Sequence, residues 1–145
     1  MFGKIYQQIV KLFFPQFPAG RVGLALLLLR FMVGAGMIVH GYHKIGDIGG
    51  FAEQVGVPVF LAAAAVIAEF VGGMFVLIGA LTPLWGLLIA ITMAEAVRFH
   101  ITQGDPFYQP GGPGYELALF YLTAIVVILV TGPGRFSVDS FFFKR

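Results

Sequence analysis

Four apolar runs, roughly 21–42, 58–80, 83–101 and 114–131, dictate what this chain can become. Each approaches the ~20 residues that an α-helix needs to cross the hydrocarbon core of a bilayer. The turn between the second and third is only Leu81-Thr82-Pro83, with proline placed to open a helix. The two longer connections are rich in breakers: 43–57 carries Gly49, Gly50, Gly56 and Pro58 at its edge. The stretch 102–113 reads Thr-Gln-Gly-Asp-Pro-Phe-Tyr-Gln-Pro-Gly-Gly-Pro. The economical arrangement is all-α, an antiparallel four-helix transmembrane bundle within a single membrane domain spanning 1–145.

Composition agrees. Of 145 residues, 59% are hydrophobic and 11% charged, with mean hydropathy +0.91. Soluble domains run nearer ~25% charged, so lipid has to be the solvent here. The chain has no cysteine, which excludes disulfides, thiolate metal sites and an internal dithiol mechanism. A net charge of +2 is too small to argue for a nucleic-acid partner.

Residues 2–14 read as an amphipathic helix lying in the membrane interface. Phe2, Ile5, Ile9, Leu12 and Phe13 share one side, while Lys4, Gln7, Gln8 and Lys11 share the other. The segment is too short and polar for a cleaved secretory signal. Lys4, Lys11 and Arg21 precede the first span, and Arg135, Lys144 and Arg145 follow the fourth. The positive-inside rule then expects both termini in the cytoplasm, with the two longer loops outside.

Ionisable groups inside the spans are expensive and mark functional candidates. At ~1.5 Å per residue, Arg30 lies about 13 Å from Arg21 and Glu69 about 16 Å from Pro58, both near mid-membrane. A buried Arg30–Glu69 ion pair is expected. His40 and Lys44 stand one turn apart on one helix face. Glu95 and Arg98 near the end of the third span, with Tyr115 and Glu116 opening the fourth, converge on the same layer. His100, about 160° around from Arg98, is expected to face lipid headgroups, and His43 to reach solvent. In the second span Ala64, Ala68 and Gly72, with Gly73 beside them, form a small-residue stripe that permits close helix approach.

The candidate ligand-binding set is therefore His40, Lys44, Glu95, Arg98, Tyr115 and Glu116. Histidine and lysine can donate to the carbonyls of a quinone while carboxylates handle protons, which makes quinone the leading ligand; a small lipid is an alternative. Haem or metal is less favoured, because paired histidine spacing is missing. A polar network that merely caps the bundle would use the same residues.

Several motifs resemble the DoxX family of small bacterial membrane proteins along nearly the whole chain. They are Arg30 in the first span; His40-Gly41-x-x-Lys44; Gly50-Phe51-Ala52 before Gly56-Val57-Pro58; Ala68-Glu69-x-x-Gly72-Gly73; Leu77 through Pro83; Gly114-Tyr115-Glu116; and Gly132-Pro133-Gly134-Arg135-Phe136-Ser137-x-Asp139. The resemblance implies a four-helix membrane bundle. It also implies a redox association, as a subunit of a membrane oxidoreductase complex or an oxidative-stress complex. The other role it implies is a non-catalytic assembly or maturation factor acting through its outer loops. A protein partner or homo-oligomer accompanies either role.

Overall fold

The structure, a computed structural model, describes residues 17–143. The amphipathic helix expected over 2–14 lies outside them. Four helices occupy the four apolar runs: α1 (Gly20–Ile45), α3 (Val59–Ile78), α4 (Thr82–Thr102) and α5 (Glu116–Thr131). Two short helices join them, α2 (Ile48–Val55) and α6 (Val138–Phe143), and the described residues contain no strand. Helices α1, α3 and α4 are each long and apolar enough to cross a membrane, whereas α5 is apolar but only 16 residues long.

The packing is that of a protein dissolved in lipid. Phe60, Phe120 and Val130 are each at least 70% exposed, while the core is a narrow seam of Val33, Met37, Val76, Ile89, Met93, Ala124, Ile125 and Ile128. Large apolar side chains pointing outward are what hydrocarbon solvent permits. Helix association must then come from close packing, because apolar burial gains nothing against lipid tails.

Glycines supply that packing between α1 and α3. A β-carbon on Gly34 would stand 2.7 Å from the Gly73 carbonyl, and one on Gly41 would stand 2.6 Å from the Phe70 amide. These contacts also fix the antiparallel register, with 34 against 73 and 41 against 70. The small residues of α3 serve two neighbours: Gly73 meets α1, while Gly72 faces Trp85 and Ile89 of α4. Ala64, included in the expected stripe, is exposed.

The register overturns the expected Arg30–Glu69 ion pair. Both residues are buried, at 0% and 1% exposure, but Arg30 lies level with Gly79 and Glu69 with the region of His40. Neighbouring helices do not start on common planes here. In fact α1 ends opposite the second turn of α3, so Glu69 sits near the loop end of α1. Arg30 instead donates through Nη2 to the Phe136 carbonyl, and its charge is felt by Asp139. Its Nε and Nη1 have no hydrogen-bond partner among the described residues.

The segment after α5 folds across the end of the bundle where the described chain begins and ends. The Arg135 amide donates to the Pro18 carbonyl (2.8 Å), and the Asp139 amide to the Gly79 carbonyl (2.9 Å). Asp139 then accepts from the Leu81 amide (2.7 Å) and the Thr82 amide (2.9 Å), satisfying two free N–H groups at the start of α4. Leu81 has φ +47°, a left-handed conformation unusual outside glycine. That strain, of order 1–2 kcal/mol, is held in place by the carboxylate on its amide. Helix α2, not expected in the 43–57 connection, is bracketed by an Asp47 cap on the Gly50 amide (2.8 Å) and by Gly56 at φ +69°.

Candidate functional site

At the opposite end, beneath the α1–α2 and α4–α5 connections, α1, α3, α4 and α5 surround a cavity of about 180 Å³. Its apolar side is Met37 and Met93, and its polar side is His40, Lys44, Glu69, His100 and Tyr121. Gly114, Leu117 and Ala118, from the start of α5 and the residues before it, complete the wall.

The central feature is a bidentate ion pair. Lys44 Nζ lies 2.6 Å and 2.7 Å from the two Glu69 carboxylate oxygens. Glu69 is 1% exposed, so a lone charge there would be severely penalised, whereas Lys44 is 26% exposed and reaches in from α1. The ammonium also lies 4.6 Å from the centroid of the Phe51 ring, so α2 covers the pair from the loop side. His40, one turn before Lys44, makes an edge-to-face contact with Tyr121 at 5.7 Å. Tyr121 lies with its hydroxyl against Gly36, where no side chain blocks it.

His100 reaches the cavity instead of facing the headgroups as expected. Its Nδ1 lies 2.7 Å from Asp105 Oδ2. The local chain explains the contact. Gly104 takes φ +79° to end α4, and the Asp105 amide returns to the His100 carbonyl (3.0 Å), which brings the carboxylate beneath the ring.

Of the sequence candidates, the structure brings together His40 and Lys44. Glu95 and Arg98 pair with each other at 2.7 Å on an exposed face, with side chains 61% and 65% accessible. Tyr115 packs edge-to-face on Phe107 at 5.5 Å, and Glu116 is exposed; neither lines the cavity. His43 is exposed. Glu69, His100 and Tyr121 complete the site, and helical periodicity could have found two of them. Ile89, Met93, Ala96 and His100 follow one stripe of α4, as Ala118, Tyr121, Ile125 and Ile128 do on α5. Among the described residues, no group of three or more His, Cys, Asp or Glu side chains is placed to hold a metal ion.

A DoxX family model matches residues 25–101, which hold His40, Lys44, Glu69 and His100. The chain belongs to the DoxX family. Its relatives include "Putative oxidoreductase CatD" of Bacillus subtilis, 32% identical over 83% of this chain and 89% of the relative. "Inner membrane protein YqjF" of Escherichia coli is 28% identical over 84% of this chain and 95% of its own. A Haemophilus influenzae protein is 31% identical over 83% and 92% respectively. No solved structure is a significant match to the chain. This DoxX protein is thus an integral membrane protein with buried polar groups at both ends of its bundle, the cavity at one and the Arg30–Asp139 region at the other.

Proposed function

We propose that this DoxX protein is a redox-associated membrane subunit that holds a single-ring, quinone-like ligand between His40, Lys44 and His100. The observation that carries the reading is a cavity with a methionine floor and a polar wall enclosed by the four apolar helices. At about 180 Å³ it is smaller than the ~300–1,000 Å³ of typical ligand sites and close to the ~150 Å³ that accepts one benzene ring. A head group fits, and any isoprenoid tail would extend past Leu117 into lipid.

The oxidoreductase name of the Bacillus subtilis relative supports the redox class. With no cysteine in the chain, thiol chemistry would belong to a partner or a substrate, so a protein partner is part of the proposal. The inner-membrane name of the Escherichia coli relative and the clustering of basic residues near both termini support an inner-membrane protein with cytoplasmic termini.

The test is equilibrium binding of a short-chain benzoquinone to the purified protein in nanodiscs. Saturable binding that falls at least tenfold in His40→Ala supports the assignment. Affinity unchanged by that substitution overturns it. Absence of binding, with a soluble partner captured through the 103–115 loop, would move the protein to the assembly-factor class.

A further inference from the structure

The cavity's polar groups are not equally available. Both oxygens of Glu69 face Lys44 Nζ, so the carboxylate is engaged, while the ammonium keeps one N–H to donate and has no lone pair to offer. Tyr121 is wedged against α1 at Gly36. His100 differs, because one of its ring nitrogens is committed outside the cavity. A carboxylate can only accept, so Asp105 at 2.7 Å requires the proton of a neutral ring to sit on Nδ1. The other nitrogen, Nε2, then carries a lone pair. His40 has no such fixed partner; its ring meets Tyr121 edge-on.

From this geometry we infer that His100, oriented by Asp105, is the cavity's fixed hydrogen-bond acceptor. The ligand it selects is an aromatic ring bearing a hydroxyl donor, a phenol or hydroquinone, over an O-alkylated ring of the same size. The inference deepens the proposed ring-binding function and rests on it. Chemically it states which redox partner of a quinone couple the resting site prefers: the reduced form donates hydrogen bonds, and the oxidised form only accepts them. Asp105 is a positioning residue, touching the histidine and not the ligand. At 19% exposure it is shielded enough for the contact to persist. The Gly104 turn and the proline after it hold it in place.

Phenol and anisole test the assignment because they differ by one methyl group and neither undergoes redox chemistry under the assay conditions. In nanodiscs at mildly alkaline pH, the full-length protein should bind phenol about tenfold tighter than anisole, the upper range for one neutral hydrogen bond. His100→Phe should bring the two affinities within about twofold. Asp105→Asn should erode the preference about threefold, because the ring is no longer held in one tautomer. Nitrogen-15 NMR of the histidine-labelled wild type provides a readout that needs no variant. It should show one of the described histidines as the Nδ1–H tautomer, the minor form in water, and Asp105→Asn should abolish that signal.

Equal affinities for phenol and anisole, a preference surviving His100→Phe, or an Nε2–H tautomer at His100 would each overturn the inference. In the first two cases ring binding itself still stands. If neither compound binds, the ring-binding reading falls and takes this one with it.

Discussion

Removing Lys44 while keeping its length is the most informative perturbation of the site. Lys44→Met preserves the aliphatic stem and deletes only the ammonium, which lies over the Phe51 ring. Glu69 would remain 1% exposed, with both oxygens stripped of their partner. Breaking a buried pair from one side typically costs about 3–5 kcal/mol. Thermal unfolding in a mild detergent, followed by circular dichroism, should fall by on the order of 10 °C. Glu69→Gln leaves no buried anion and should cost less. The double variant Lys44→Met with Glu69→Gln should recover at least half of the Lys44→Met loss, because the uncompensated charge is gone. A double variant no more stable than Lys44→Met alone would refute the reasoning, since the damage would then be packing and not charge.

At the other end of the bundle, Asp139→Ala should destabilise the fold by about 1–3 kcal/mol, by freeing the Leu81 and Thr82 amides. Hydrogen exchange should rise at these two positions, and protection equal to wild type there would contradict the capping role. Gly36→Val should act on the cavity, because its side chain would occupy the space of the Tyr121 hydroxyl. Phenol affinity should drop severalfold while stability changes by about 1–3 kcal/mol, the usual cost of overpacking; unaltered affinity would separate Tyr121 from ligand binding.

The membrane helices were legible because apolar length is a one-dimensional property. The four runs lie within about three residues of α1, α3, α4 and α5 at every boundary. What escaped depends on relations between helices. Counting along each helix alone puts Arg30 and Glu69 at matching depth, but the Gly34–Gly73 and Gly41–Phe70 contacts offset the two helices. Only the assembled pair of helices shows it. Relative to Arg98, which is exposed, His100 falls on the far side of α4; relative to buried Met93, seven residues earlier, it shares the inner stripe. His40 and Lys44 needed no such reference, since their spacing alone puts them on one face. Helix α2 was obscured by Gly49 and Gly50, poor helix formers in a segment whose Asp47 and Gly56 caps define it.

The bond between Asp139 and the α3–α4 turn has a consequence for how the protein is made. Thr82 is translated 57 residues before the carboxylate that caps it. Helices α3 and α4 therefore enter the bilayer as a hairpin whose tight turn, with Leu81 in its strained conformation, is not yet locked. The lock closes only after α5 has been inserted and the following strap has crossed back beneath α1. Until then the Leu81 and Thr82 amides lack their carboxylate acceptor, so the α3–α4 turn is completed only by the last segment of the chain to reach it.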